Sequence, residues 1–194
     1  MKSVKLIAVA LLALGGMVAA AQATAQGFYV GGSVGKSDFD DGNAVPDLIT
    51  SGSVDGTDTG YKIYGGYQFN RNFGVEVAWV DLGQAKYSGT FQGLPVTGGT
   101  VKTYGFNLSA VGTLPMGSSG FSFFGKAGLY SWEAKASDVT GGSPFSGKQN
   151  GSDLSYGIGG SYAFTKNLGI RAEWERFKAV DNIDLLSVGV VYQF

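Results

Sequence analysis

After residue 26, side chains alternate in character with a period of two through almost the whole chain. That period belongs to strands, in which successive Cβ atoms leave opposite faces, and no stretch carries a sustained helical stripe. Eight strands are expected near 28–38, 59–69, 73–83, 101–114, 121–135, 152–164, 168–178 and 184–194. Three tight turns, 70–72, 115–120 and 165–167, alternate with long polar connections at 39–58, 84–100 and 136–151 and a shorter one at 179–183. An even strand count with short turns at one end and long loops at the other predicts an all-β fold, an eight-stranded antiparallel up-and-down barrel.

The two faces differ sharply. One runs through Phe28, Val30, Val34, Tyr61, Ile63, Val75, Trp79, Phe106, Leu108, Phe123, Leu129, Leu154, Ile158, Ile170 and Trp174, and ends in Leu186, Val188, Val190, Tyr192 and Phe194. It carries no charge. The interleaved face holds Lys62, Glu76, Lys126, Arg171 and Glu173 among Gly, Ser, Ala, Asn, Gln and Thr, which suits the narrow inside of an eight-stranded barrel. Aromatics gather near both strand ends of the apolar face: Phe28, Phe69, Phe121, Phe164 and Tyr192 toward the short turns, Tyr61, Trp79, Tyr104, Tyr156 and Trp174 toward the loops. Two such girdles are expected where a barrel meets two headgroup layers, so the apolar face is placed in lipid. A Lys or Arg at mid-membrane on that face would cost about 2–4 kcal/mol.

Residues 1–25 read as an export address. Lys2 and Lys5 precede the apolar run Leu6–Leu14, and Ala21-Gln22-Ala23-Thr24-Ala25 offers cleavage after Ala23 or Ala25. The apolar stretch is shorter than the roughly 20 residues of a spanning helix. The barrel is accordingly expected over 26–194, with 12 basic against 15 acidic residues.

Composition removes much chemistry. The chain has no His and no Cys, so imidazole bases, imidazole- or thiolate-bound metals, thiol nucleophiles and disulfides are all excluded. A net charge of −1 leaves no basic footprint for nucleic acid. Ser33-Val34-Gly35-Lys36 matches an S-x-x-K pattern, but on a strand residues three apart face opposite ways, so Lys36 cannot activate Ser33. The Walker-like spacing around Gly32–Ser37 has Val30 where Gly is required. Asp38, Asp40, Asp41, Asp47, Asp55 and Asp58 make the first loop acidic without the spacing or distal Glu of a calcium loop. Neither a cofactor nor a metal site is expected.

Three segments carry a family resemblance. Gly65–Asn70 with Gly74-Val75-Glu76 and Leu82-Gly83 resembles the second hairpin of the OmpA transmembrane domain. Tyr162–Thr165 with Arg171–Trp174 is similar to its sixth and seventh strands, and Leu186–Phe194 to its last. The resemblance implies a small outer-membrane β-barrel of the OmpA-like or opacity type, with an interior ion-pair network at Glu76, Lys126, Arg171 and Glu173. Val111 and Ser161 stand where the family has an interior Lys and Glu, so half of a switchable network is expected to be missing. Alternation ending in Phe194 resembles the signal read by the insertion machinery, carried by Leu186, Val188, Val190, Tyr192 and Phe194. The chain ends with the barrel, and no periplasmic tether is expected.

These readings point to an exported, non-enzymatic, monomeric barrel of the Gram-negative outer membrane. Its expected partners are outer-membrane lipid, lipopolysaccharide, the assembly machinery and a host or surface ligand met through loops. A small gated channel through the lumen is the alternative.

Overall fold

A computed structural model describes residues 26–39, 49–91, 94–117, 119–140, 143–179 and 182–194. The expected signal peptide, and Asp40, Asp41 and Asp47 of the acidic loop, lie outside the described residues. The strands are β1 (Gly27–Phe39), β2 (Ile49–Asp55), β3 (Thr57–Gln68), β4 (Phe73–Phe91), β5 (Leu94–Pro115), β6 (Phe121–Thr140), β7 (Ser143–Ala163), β8 (Leu168–Lys178) and β9 (Asn182–Gln193).

Backbone groups in lipid have no water to bond, so a spanning sheet must close on itself. It does: β9 lies antiparallel on β1 from Tyr29 opposite Gln193 to Phe39 opposite Ile183. The ring has eight staves, because β2 and β3 run in line along β4 and make one stave between them. Where they meet, β4 shifts register between Asp81 and Gln84, and Gly83 takes a φ of 77°. Asp58 secures this bulge, its Oδ2 accepting from the Gln84 N–H at 2.8 Å, and a Cβ on Gly83 would collide with that carboxylate.

The short turns lie where the sequence puts them. Asn70 Oδ1 accepts from the N–H groups of Asn72 and Phe73, and Thr165 Oγ1 accepts from those of Asn167 and Leu168. The loop end departs from expectation. Strand structure fills most of 84–100 and 136–151, and β2 occupies part of 39–58. β4 and β5 stay paired up to Phe91 opposite Leu94, and β6 and β7 up to Thr140 opposite Ser143. These strands of 19 to 22 residues are about twice what a tilted strand needs to cross a bilayer, so they project beyond it as a crown. The segments read as loops because no apolar outer face is required of a strand standing in water.

Membrane belt and crown are built with opposite polarity. In the belt the charge-free face points out: Ile63, Ile158 and Leu186 are each about two-thirds exposed. Its short-turn girdle is a chain of touching rings, Phe28–Tyr67–Phe69 and Phe121–Tyr162–Phe164, with Tyr192 on Phe194. In the crown the apolar residues point in. Phe39, Val80, Leu82, Ala85, Tyr130, Trp132, Ala134, Phe177, Ile183 and Leu185 pack in one buried cluster at the loop end of the lumen. The interior is therefore bulkier than its Gly and Ser content suggests. Glycines make room for the rings: a Cβ on Gly31 would strike Tyr64, on Gly66 Tyr29, on Gly159 Phe124 and on Gly151 Trp132.

Candidate functional site in the barrel lumen

Below the apolar crown, the belt's lumen is filled by charge. The inward parity of four staves delivers Lys62 from β3, Glu76 from β4, Lys126 from β6, and Arg171, Glu173 and Glu175 from β8. All six side chains are buried. Lys126 Nζ sits 3.1 Å from Glu76 Oε1, 2.8 Å from Glu173 Oε2 and 2.5 Å from Glu175 Oε1. Lys62 pairs with Glu173 and Glu175 from the other side. Arg171 Nη1 donates to Glu76 Oε2 at 2.6 Å, and Tyr29 donates its hydroxyl proton to the same oxygen at 3.1 Å. Three cations thus meet three carboxylates, with Lys126 in contact with all of the latter. A neutral, mutually paired set is the condition under which charges tolerate burial. The guanidinium of Arg171 is also stacked, 4.0 Å from the Phe124 ring centre and 4.9 Å from that of Tyr64.

The four expected network positions, Glu76, Lys126, Arg171 and Glu173, come together. Two members, Lys62 and Glu175, were not among them. Their signal was parity: Lys62 lies on the interleaved face of β3, and Glu175 is two residues beyond Glu173 on β8. A carry-over limited to the family's own positions passes over them. Val111 is buried opposite Lys126 in the sheet, and Ser161 lies opposite Arg171, so neither adds a charge.

The lumen is closed toward the loops and open toward the short turns. Above the ion pairs, Tyr130 packs on Phe177 with the rings tilted and their centres 4.8 Å apart within the crown cluster, both rings being fully buried. Below them a vestibule of about 280 Å³ opens at the short-turn end, with Arg171 in its wall.

The remaining candidates are placed as follows. Leu186, Val188, Val190, Tyr192 and Phe194 all lie exposed on the outer face of the last strand and its end. Ser33 faces inward and Lys36 outward on β1. Of the acidic first loop, Asp58 serves the β4 bulge, and no cluster of metal-ligating side chains occurs among the described residues. On the crown's outer face, Lys102, Lys135 and Lys148 stand directly abreast on β5, β6 and β7. Glu133 lies beneath them, 2.5 Å from Lys148, and also accepts from the Tyr104 hydroxyl. Those hydrogen bonds, from Lys148 first and Tyr104 second, hold its carboxyl down at about 2.

Comparison with known proteins agrees with this geometry. A profile of the family described as outer membrane protein beta-barrel domain matches residues 7–194. Outer membrane protein A of Yersinia pseudotuberculosis is 29% identical over 98% of this chain and 56% of its own length. The chain therefore spans about half the length of the curated relatives it matches. Among solved structures, Neisserial surface protein A superposes with a TM-score of 0.56 at 22% identity, over 86% of this chain and 97% of that one. Ail, the attachment invasion locus protein of Yersinia pestis, in complex with the heparin analogue sucrose octasulfate, superposes with a TM-score of 0.53 at 19% identity, over 87% and 97%.

Proposed function

The chain belongs to the outer membrane protein β-barrel domain family and is an outer-membrane protein, and from that premise we propose that it works as a non-enzymatic structural and surface-contact barrel. The observation that carries this reading is the doubly filled lumen, ion pairs in the belt and packed rings in the crown. An eight-stranded barrel has little interior to begin with, and here both storeys are occupied by side chains. What is left to act is the outside: a lipid-facing belt and a crown that carries its strands well past the membrane.

The crown supports a contact role by its chemistry. Like charges set directly across neighbouring strands repel, so the row of Lys102, Lys135 and Lys148 favours an anionic partner. Lipopolysaccharide offers such groups beside the barrel, and a sulfated host glycan, akin to the heparin analogue bound to Ail, offers them beyond the membrane. Leu186, Val188, Val190, Tyr192 and Phe194 serve as the signal read by the assembly machinery, and the protein acts as a monomer. The competing reading is a gated channel, favoured by the vestibule that opens from the short-turn side as far as Arg171.

Planar-bilayer recording of the refolded protein, with heat-modifiable gel migration as the check on folding, separates the two. Silence is expected. Reproducible conductance that changes in Glu76→Ala or Arg171→Ala would replace the structural reading with the channel.

A further inference from the structure

The crown is an open sheet standing on a closed one. β7 keeps an unbroken register with β6 from Thr140 opposite Ser143 to Phe121 opposite Tyr162. On its other side β8 pairs with it only from Ser155 opposite Phe177 to Ala163 opposite Gly169. Among the described residues, 143–153 of β7 therefore have a strand on one side alone. Gln149 shares the inward parity of buried Ser155 yet is itself exposed, because the barrel wall has ended beside it. The vacancy continues the stave of β8 above its last residue, Lys178.

An antiparallel strand turns alternate residues' N–H and C=O groups to opposite sides, so this edge offers a row of unpaired donors and acceptors. Pro144 sets their phase. A proline sits in a sheet where its missing N–H faces no partner. Residues of its parity, Ser146, Lys148, Asn150 and Ser152, accordingly aim their backbone groups at the vacancy. The edge on the other flank, β2, is shorter, and its register against β4 shifts between Thr50 and Ser53. Such a bulge spoils an edge as a template, and β7 has none.

The floor of the vacancy decides what can fill it. A strand laid along 143–153 stands directly on β8, whose place below is taken. A strand of a second barrel in the same membrane continues down into the lipid and would collide with β8. The occupant therefore comes from the solvent beyond the membrane and stops at Lys178. Its charge follows from its neighbours. Lys148 stands on the edge with Lys135 and Lys102 behind it, each about half exposed, and the three share only Asp81 and Glu133 as ion-pair partners among the described residues. Lys178 is exposed at the foot. A carboxylate across from an edge lysine is favoured, and a like charge is repelled. On the inner face Gly147 and Gly151 carry no side chain, which leaves room for apolar ones from an added strand.

We propose that the free edge of β7 is a strand-addition site for an acidic, extended segment of a protein outside the membrane. The segment pairs its backbone with the edge and sets its carboxylates beside Lys148. This inference rests on the surface-contact reading and names the kind of partner that reading leaves open.

The test is selection from a displayed library of random peptides, about nine residues long, on the refolded barrel in uncharged maltoside micelles, with heat-modifiable migration as the check on folding. Enriched peptides are expected to carry Asp or Glu at alternate positions and to slow amide exchange at Ser146, Lys148, Asn150 and Ser152. Asn150→Pro removes an outward N–H and leaves the lysine row intact; it is expected to weaken an enriched peptide by about tenfold. Lys148→Glu puts a like charge on the edge and is expected to weaken it several-fold. Enrichment without acidic alternation, or binding left unchanged in either folded variant, would overturn the site. Binding that survives Asn150→Pro alone would place the peptides on the lysine row, so that the edge falls and the surface-contact reading stands. Conductance in planar bilayers would sink that reading instead, leaving protection of the edge amides as it was.

Discussion

Belt and crown are made from the same strands, with the same inward and outward parity, yet with reversed chemistry. On β8, Ile170 and Ala172 face out while Arg171, Glu173 and Glu175 face in; a few residues higher Phe177 faces in and Lys178 out. On β9, Leu186 is 64% exposed and its neighbour Leu185 fully buried. On β6 the same switch falls between exposed Leu129 and buried Tyr130, and on β4 between Trp79 and Val80. The phase of an alternating strand says which face is which. Its sign says what surrounds the barrel: lipid takes the apolar side chains in the belt, and water drives them into the lumen of the crown. On β4, β6 and β9 the height at which the surroundings change is marked by an adjacent apolar pair, one member in lipid and the other in the crown's packed interior.

The belt half of this contrast breaks at Lys126. Lys126→Met leaves three buried carboxylates facing only Lys62 and Arg171, an uncompensated charge in a dry lumen. A loss of about 3–5 kcal/mol is expected, measured by reversible urea unfolding in lipid vesicles. Unchanged stability would mean that the belt interior is not locked by its charges.

The crown half breaks at Phe177, which is fully buried against Tyr130. Phe177→Ala is expected to cost about 3 kcal/mol by lost transfer energy and a residual cavity. Its deficit should not depend on ionic strength, and the belt variant's should depend on it little, since those charges are shut away from salt. Its bilayer recordings should stay silent, because the ion pairs beneath still fill the lumen. Conductance from Phe177→Ala alone would show that the crown is the whole seal.

The belt was legible in the sequence, since lipid forbids charge on one face and period-two alternation then exposes both faces at once. The turns were legible through Asn70 and Thr165, whose side chains bond the turn backbone. The crown was not, because Gln84, Lys86 and Ser88 outside and Ala85 and Tyr87 inside continue β4 with a sign that opposes that of the belt, within the connection expected over 84–100. Such a stretch, bordered by Gly and Ser, reads as a polar loop unless its phase is followed past the girdle. The network was legible at four of its six members: Glu175 shares the parity of Glu173 but is missed when positions are carried from a family rather than counted along the strand.

A milder probe sharpens the contrast, since crown charges meet solvent and belt charges do not. Glu133 on the crown's outer face is held down at about 2 by hydrogen bonds from Lys148 and Tyr104, below an ordinary glutamate near 4.3. A folded value below the unfolded one means that the linkage stabilises the β5–β6–β7 ribbon above about pH 4, and that this support is lost as pH falls toward 2. Side-chain carboxyl NMR of Glu133 should show the late titration, and amide exchange in the ribbon should quicken over the same window. Added salt should weaken the pairing, as it does for charges that face water. In Glu133→Gln the pH dependence should disappear from the ribbon while belt amides remain unaffected. A Glu133 that titrates near 4.3 would mean that Lys148 and Tyr104 do not hold its carboxylate, leaving the ribbon without this pH-dependent support.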